Sequence, residues 1–269
     1  ELGCSYERGF DGKPDYIAAA KFYAKAVAAG NDDALSSLAF LYFRGRGLPH
    51  DYEKAVSMHE DLVARNGEQA RGYNLGVLYY YAPAGKDQAP RHKEAVRLFK
   101  NSAKNEFYYA QSAVGECYEN GVGVARNYKE AAKWYGLAAE QGFADAKFFL
   151  GDLSRRGLGV TRDYSKALSL FKEAADSDLA WGKRGLAGMY YRGEGAERDY
   201  ESAFQLYSDA AAADDQESMF LLAQMYERGE GTEKDSAEAR NWYRKAADYP
   251  LYEGHYYEPE KVAKYNALA

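Results

Sequence analysis

Several features that commonly point to a function are scarce or absent in this 269-residue chain. It contains no run of about 18 apolar residues, the length that a helix needs to cross a bilayer. Its 35 Lys and Arg residues are outnumbered by 41 Asp and Glu residues, and the net charge of −6 argues against a nucleic-acid partner. Its two cysteines are too few for a disulfide framework. We therefore expect no transmembrane segment and no nucleic-acid binding.

Proline is also scarce, whereas apolar and aromatic residues are abundant. The chain has 6 Pro but 26 Tyr, with 46% hydrophobic residues, a mixture that favours packed helices over linkers. The first residues lack the basic and then apolar layout of a secretory signal. Because Glu1-Leu2-Gly3 falls within a helix motif, we expect the natural chain to extend upstream, and the sequence leaves the localisation open.

A unit of about 36 residues recurs along the chain. Its anchor is an apolar residue followed by a small residue and, three positions after that, usually by a tyrosine. Successive anchors are separated by 36, 37, 39, 36, 36 and 36 residues: Leu2, Leu38, Leu75, Val114, Leu150, Leu186 and Leu222. A Gly-x-Gly follows five of them, as in Gly157-Leu158-Gly159. A nucleotide-binding glycine loop would occur once and follow a strand, so these glycine pairs predict structural turns.

Each unit has the pattern of two helices. The first helix carries the anchor and the small residue, which is expected to let a neighbouring backbone approach closely. The glycine pair ends this helix, because glycine tolerates left-handed dihedrals. An Asp or Asn then stands where its side chain can cap the second helix: Asp15, Asp51, Asn127, Asp163, Asp199 and Asp235. The second helix has a stripe of small and aromatic residues that starts at Ala19, Ala55, Ala95, Ala131, Ala167, Ala203 or Ala239.

This pattern resembles the Sel1-like repeat family, a relative of the tetratricopeptide repeat, and residues 114–146 match it almost throughout. The resemblance covers about residues 1–249 and implies an all-α, right-handed α-solenoid superhelix of about seven two-helix repeats with a concave binding face. Residues 250–269 leave the pattern, and we interpret them as a C-terminal cap. Members of the family resemble non-catalytic scaffolds and adaptors, in bacteria often secreted or periplasmic, and some are immunity proteins that neutralise antibacterial effectors.

No residue pattern predicts a catalytic, metal or cofactor site. The four histidines are scattered, without paired spacing on one helix face or an accompanying cysteine cluster. No G-x-S-x-G or H-E-x-x-H motif occurs. Cys4 and Cys117 lie three units apart, beyond the reach of a disulfide, so we expect free thiols. The sequence thus predicts a protein without enzyme activity, metal or cofactor.

Side chains that select a partner are expected on the face of each first helix opposite the buried stripe. At 100° per residue, that face holds the positions two before, two after, and five or six after each anchor. The predicted partner-binding residues are Phe40, Phe43, Tyr73, Tyr80, Tyr81, Glu116, Glu119, Phe148, Asp152, Arg155, Arg184, Tyr191 and Phe220. An aromatic patch thus passes into a charged strip, a composition typical of interfaces. For Tyr73, Phe148 and Phe220, packing on an adjacent helix is the alternative.

The sequence therefore indicates a non-catalytic protein-binding repeat protein that is monomeric when free. As an immunity or inhibitor protein it would bind a toxin or effector. One alternative is a structural or regulatory adaptor, and another is binding or hydrolysis of a cell-wall glycan or peptide, which needs a cleft with convergent polar groups. The third unit lacks the Gly-x-Gly, and its longer loop is either free to vary or shaped for a partner.

Overall fold

The computed structural model describes residues 2–9, 13–85 and 87–248, which belong to two compact units, one ending at Arg126 and the other starting at Asn127. The described residues of unit 1 form seven helices: α1 (Leu2–Arg8), α2 (Tyr16–Ala28), α3 (Asp32–Arg44), α4 (Tyr52–Asn66), α5 (Glu68–Tyr80), α6 (Gln88–Ala103) and α7 (Tyr108–Asn120). Those of unit 2 form seven more: α8 (Tyr128–Glu140), α9 (Ala144–Arg156), α10 (Tyr164–Asp176), α11 (Ala180–Arg192), α12 (Tyr200–Ala212), α13 (Gln216–Arg228) and α14 (Ser236–Asp248).

The described part of the chain contains helices and no strands, arranged as seven successive helix pairs. The predicted all-α class with two-helix repeats is therefore confirmed. Within each unit, every helix packs against the helices that precede and follow it in the chain. The assignment of residues 1–249 to a single solenoid stays a prediction, and the proposed cap at residues 250–269 lies outside the described residues.

The apolar stripes predicted from the repeat form the core between paired helices. The first alanine of every second-helix stripe is at most 3% exposed, and the anchors from Leu38 to Leu222 are at most 8% exposed. Leu2, the first residue of α1, is 56% exposed because no described helix precedes α1 to cover it. Each repeat thus buries its stripe against the next helix, as expected for a fold stabilised by nearest neighbours.

The glycine that follows the anchor in the third and fifth repeats accommodates an aromatic ring. A Cβ added at Gly76 would lie 2.7 Å from the ring of Phe99, and one added at Gly151 would lie 3.0 Å from the ring of Phe171. Both rings come from the second helix of the same repeat. The expectation that this position admits a neighbouring backbone is therefore wrong at these glycines, because the large ring that separates the paired helices needs the space.

The two glycines of each Gly-x-Gly have different roles. The first ends the first helix in the left-handed conformation, as at Gly157, where φ is 68° and the N–H bonds to the carbonyl of Leu153. The second, Gly159, also has a positive φ, of 69°, and a Cβ there would overlap the carbonyl group of Tyr128 at the start of α8. The turn of one repeat thus packs directly on the backbone of the preceding second helix.

The six Asp and Asn residues predicted as caps all cap a second helix. Each accepts a hydrogen bond at 2.8–3.2 Å from a backbone N–H two or three residues ahead. Such a bond satisfies one of the amides that the first helical turn leaves unpaired. The sequence pattern therefore predicts the start of these helices correctly.

Replacing Asp163 with alanine is expected to lower the free energy of unfolding of unit 2 by about 1 kcal/mol. Oδ1 of Asp163 accepts from the N–H of Lys166 at 2.9 Å, and alanine leaves that amide without this acceptor. Asp163→Asn keeps an acceptor at the same place and is expected to remain near wild type. Urea unfolding followed by circular dichroism measures the difference. Equal losses for the two variants would show that charge, and not capping, stabilises the helix.

The connection in the third repeat has seven residues (81–87), the same number as in the other repeats, so the longer loop expected from its sequence is wrong; the extra residues lengthen α6 instead. α5 ends at Tyr80 and α6 begins at Gln88, and the residue before α6 makes no side-chain cap. α6 has 16 residues against 13 in α8, and the extra turn includes Arg91. Arg91 donates to both carboxylate oxygens of Glu53 in α4, at 2.8 and 2.7 Å. A bidentate ion pair thus links the third repeat to the second. A partner-binding role for this loop stays a prediction.

Both cysteines are free, as predicted: Cys4 is exposed and Cys117 is buried. Burial raises the pKa of the Cys117 thiol, which keeps it protonated at neutral pH. Over the described residues, no helix combines the length and the apolar character that a membrane span requires.

Candidate partner-binding surface

Direct side-chain contacts bring the predicted first-helix positions of neighbouring repeats together within each unit. In unit 1 they form a surface that we call the aromatic–acidic strip: Phe40, Phe43, Tyr80, Tyr81, Glu116, Glu119 and Asn120. In unit 2 they form a set that we call the arginine ladder: Asp152, Arg155, Arg156, Tyr191, Arg192, Glu194, Arg228 and Glu230. The helical spacing used for the prediction therefore selects residues that meet in space.

The aromatic half of the strip is carried by α3 and α5. The ring centroids of Phe40 and Phe43 lie 6.5 Å apart, and those of Phe43 and Tyr81 lie 6.1 Å apart. Tyr81 is 39% exposed, whereas Phe40 and Phe43 are half-buried. Arg44 lies over the Phe40 ring with its guanidinium carbon 6.0 Å from the centroid. The rings form one connected apolar surface that is held in place before any partner arrives.

Tyr80 joins the aromatic half of the strip to the acidic half. Its ring packs edge-on against Tyr81, with centroids 5.0 Å apart, and Tyr80 as a whole is 9% exposed. Its hydroxyl donates to Oε1 of Glu116 at 2.9 Å and accepts from Nδ2 of Asn120 at 3.3 Å. Tyr80 therefore contributes to the strip mainly by hydrogen-bonding through its hydroxyl, because its ring is largely buried.

Glu116 is a half-buried carboxylate on α7. Burial raises its pKa, the hydrogen bond from Tyr80 opposes that shift, and the neighbouring charge of Glu119 adds to it. Within the described ranges, no Lys, Arg or His forms an ion pair with Glu116. The carboxylate thus loses part of its hydration without gaining a cation, an arrangement that costs free energy unless the charge has another use.

The charges of the arginine ladder are paired among themselves. Arg155 lies 2.8 Å from Asp152 of its own helix and 3.8 Å from Glu194 of the next repeat. Glu194 also binds Arg192 at 2.9 Å. One repeat further on, Tyr191 donates to Glu230 at 2.8 Å and accepts from Arg228 at 2.9 Å. The predicted charged strip of unit 2 is therefore an internal network between repeats.

Arg184 belongs to a second charged contact in unit 2. Its guanidinium lies 5.6 Å from the centroid of the Phe148 ring, 3.3 Å from Asp215 and in a short contact with Glu217. Asp215 and Glu217 stand at the start of α13, in the following repeat. Arg184 on α11 thus contacts α9 through a cation–π interaction and α13 through ionic contacts.

Three of the predicted partner-binding aromatics lie in the packing between helices. Each contacts the large aromatic residue of the second helix in its own repeat, and Phe220 is only 5% exposed. The ring centroids are 5.4–5.6 Å apart in the pairs Tyr73–Phe99, Phe148–Phe171 and Phe220–Tyr243. These contacts favour the packing alternative for the position two before the anchor.

Other residues of these surfaces were missed at the sequence level. Asn120 follows its anchor by six positions, so the spacing rule reaches it, but it has neither charge nor ring. Glu194 and Glu230 are the middle residues of Gly-x-Gly turns, outside the rule. Phe107 and Tyr109 at the start of α7 are 38% and 43% exposed. The run of aromatics at residues 107–109 was a usable signal for that second exposed cluster.

An open groove of about 930 Å³ lies between α1, α2 and α3. Phe22 in the middle of α2 and Asp33 near the start of α3 are among its lining residues. Searched over the described residues, His, Cys, Asp and Glu form no cluster of three or more suited to a metal ion.

Comparison with known proteins identifies the repeat. The Sel1 repeat model matches residues 1–31, 32–60, 73–106, 109–143, 144–179, 183–215 and 216–248. A solved protective antigen of uropathogenic Escherichia coli with an SLR fold is 30% identical, with a TM-score of 0.62 over 99% of this chain. This chain spans 59% of the length of that antigen. A search of curated proteins gives no match.

Two further solved structures share the fold. A Sel1 repeat protein from Oxalobacter formigenes is 26% identical, with a TM-score of 0.64 over 96% of this chain and 74% of its own length. An immunity protein from Pseudomonas aeruginosa is 20% identical, with a TM-score of 0.57 over 79% of this chain and 80% of its own. Together with the matched repeats, which take up most of the sequence, these likenesses establish that this chain belongs to the Sel1 repeat family.

Proposed function

We propose that this Sel1 repeat protein is a non-catalytic inhibitor that binds one partner protein through the aromatic–acidic strip, in the manner of an immunity protein. The observation that carries the proposal is the contrast between the two surfaces. The strip presents connected rings, of which Tyr81 is 39% exposed, beside a carboxylate that has no ion pair among the described residues. Aromatic side chains supply large contact areas and dominate the binding energy of many interfaces.

The arginine ladder is the weaker candidate for partner binding. Its arginines and acids already bind each other, at 2.8–3.8 Å. A partner would have to break those contacts before it gained new ones, so the net gain per charge would be small. We therefore assign the ladder to the stability of unit 2 and the strip to recognition.

Two features favour a tight inhibitor over a loose adaptor. The rings of the strip are held by packing, as Phe43 also contacts Tyr52 of α4 with centroids 6.3 Å apart, so little side-chain entropy is lost on binding. The fold is also one that an immunity protein from Pseudomonas aeruginosa adopts. A repeat scaffold of this kind would act by covering the functional surface of its partner.

Replacing both Phe43 and Tyr81 with alanine is expected to weaken the complex by at least about 2 kcal/mol, roughly thirtyfold in Kd. Tyr80 is left intact, because it is 9% exposed and its removal would also disturb the core. The partner is first captured on the immobilised wild-type chain and identified by mass spectrometry. The purified complex is then measured by isothermal titration calorimetry with both proteins.

The matched control is the double variant Ile17→Ala with Leu137→Ala, which removes exposed apolar side chains that are not part of the strip. Ile17 is 59% exposed and Leu137 is 38% exposed. We expect this control to bind as the wild type does. One captured protein whose activity is blocked by a 1:1 complex supports inhibition, whereas several partners of modest affinity would support an adaptor. Equal affinity of the strip variant and the wild type would exclude the strip as the binding surface.

A further inference from the structure

Among the described residues, Glu116 has one hydrogen-bonding partner, which binds one of its two carboxylate oxygens. Its Oε1 accepts from the hydroxyl of Tyr80 at 2.9 Å. The hydroxyl of Tyr80 in turn accepts from Asn120, so its proton is directed to the carboxylate. The described part of the chain offers no hydrogen bond to Oε2 and no ion pair to either oxygen. The hydroxyl of Tyr80 therefore orients Oε1, and Oε2 is left for a hydrogen-bond donor of another molecule.

Two cations of unit 1, one on α6 next to α7 and one beside the aromatic half of the strip, make other contacts. Lys100 of α6 donates to the hydroxyl of Tyr118 at 2.9 Å, and its ammonium lies 5.0 Å from the centroid of that ring. Arg44 of α3 lies over the ring of Phe40. Neither residue neutralises Glu116. The neighbouring Glu119 makes the site more negative, which raises the affinity for a cation at this point of the strip.

We propose that Glu116, oriented by Tyr80, is a socket for an arginine side chain of the partner protein. A guanidinium suits the site better than an ammonium does, because it is planar, binds carboxylates through two N–H groups and stacks on aromatic rings. The exposed ring of Tyr81, in edge contact with Tyr80, supplies such a surface. This inference rests on the proposed function, and it adds that the partner presents a basic patch centred on an arginine.

The free energy of burying the carboxylate explains why the socket would be selective. In the free protein, Glu116 is partly desolvated and its pKa is raised. A cation that enters the site reverses this cost, whereas a neutral side chain of the same shape would bury the carboxylate further without pairing it. Electrostatic complementarity of this kind contributes more to the difference in affinity between correct and incorrect partners than to affinity itself.

The test uses two labelled peptides at near-physiological salt: acetyl-Gly-Arg-Gly-Arg-Gly-amide and the same peptide with citrulline, a neutral isostere, in place of arginine. Fluorescence anisotropy is expected to show the wild-type chain binding the arginine peptide at least about tenfold more tightly than the citrulline peptide. Glu116→Gln should abolish this preference. Glu140→Gln, which removes the same charge from an exposed site on α8, should leave it unchanged within about twofold.

Tyr80→Phe tests the role of the Tyr80 hydroxyl separately from that of the Glu116 carboxylate. This variant keeps the ring and Glu116 but removes the hydroxyl that binds Oε1. We expect it to retain the preference for arginine, because the carboxylate becomes more available to the guanidinium. Loss of the preference in Tyr80→Phe together with its retention in Glu116→Gln would overturn the socket, as would equal weakening by Glu116→Gln and Glu140→Gln. Equal binding of the two peptides, or binding of neither, would also overturn it.

The captured partner distinguishes failure of this inference from failure of the proposed function. If Phe43→Ala with Tyr81→Ala weakens the natural complex while Glu116→Gln leaves its Kd unchanged, the strip binds the partner but the arginine socket is wrong. If neither variant affects the natural complex, the proposed binding surface itself is wrong. Weakening of the natural complex by about tenfold or more in Kd with Glu116→Gln supports both.

Discussion

Replacing Gly159 with alanine is expected to lower the free energy of unfolding of unit 2 by about 3 kcal/mol or more. Gly159 has a φ of 69°, which alanine adopts only with strain, and a Cβ there would overlap the carbonyl carbon and oxygen of Tyr128. Backbone atoms cannot rotate away as a side chain can. The turn must therefore move off the start of α8, and the contact between two repeats is lost.

A series of matched glycine variants in the same unit tests whether overlap with the Tyr128 backbone causes this loss of stability. Gly157 also has a positive φ, of 68°, but a Cβ there would meet the side chain of Arg162 at 3.0 Å, so Gly157→Ala should cost only about 1–2 kcal/mol. Gly136 lies within α8 with no atom near its missing Cβ, and Gly136→Ala should stabilise the helix by about 0.5–1 kcal/mol.

Chemical denaturation followed by circular dichroism ranks the three variants. The expected order of stability is Gly136→Ala, wild type, Gly157→Ala and then Gly159→Ala. If Gly157→Ala and Gly159→Ala were equally destabilised, the backbone conformation alone would explain both losses. The close packing of successive repeats would then carry no extra stability.

Lowering the pH from 6.5 to about 4 is expected to destabilise unit 1 by up to about 3 kcal/mol through His59 alone. This imidazole is 0% exposed, and neither ring nitrogen has a hydrogen-bonding partner among the described residues. Burial lowers the pKa of His59 to about 4, and the charge of Arg71 on α5 adds to that effect. The folded state thus keeps His59 neutral, whereas the unfolded chain binds a proton below about pH 6.5. Stability is full above that pH and falls as the pH decreases.

His59→Phe is expected to remove this pH dependence and to stabilise the chain at pH 7 by about 1 kcal/mol, because two unsatisfied nitrogens leave the core. In all of the remaining repeats the same position holds an aromatic residue, such as Phe99 or Tyr135. The introduced phenyl ring would preserve the edge contact with Phe40, whose ring lies 5.2 Å from that of His59. His50→Gln, at an exposed histidine, serves as the control.

Urea titrations between pH 7 and about pH 4.5 measure both effects, in a window that limits the contribution of carboxylates. The wild type and His50→Gln should lose stability in parallel, while His59→Phe should lose clearly less, because the remaining loss comes from other groups such as His92, whose pKa burial also lowers. A wild-type curve that is flat over this range would mean that His59 is hydrated or hydrogen-bonded in the folded protein, contrary to its place in the core.

The sequence predicts the helices of this protein well because the signals for them are local. The caps, the left-handed glycines and the alanine stripes each depend on residues within one or two turns of helix. Repetition strengthens these signals, since the same pattern returns at nearly constant spacing from Leu38 to Leu222. The spacing rule also selects the face on which Phe43, Tyr81 and Glu116 lie.

Other properties depended on contacts between residues about 30 or more positions apart. The sequence alone determined the seven repeats, the capped starts of six second helices, the glycine-ended first helices and the absence of any recognisable catalytic motif. Only the tertiary structure decided that Gly159 packs on Tyr128, that the arginines of unit 2 pair internally, and that Glu116 receives a hydroxyl but, within the described part of the chain, no cation. The physical reason is that each repeat folds on local rules, whereas burial and charge pairing are set by the neighbouring repeat, whose side chains no local pattern specifies.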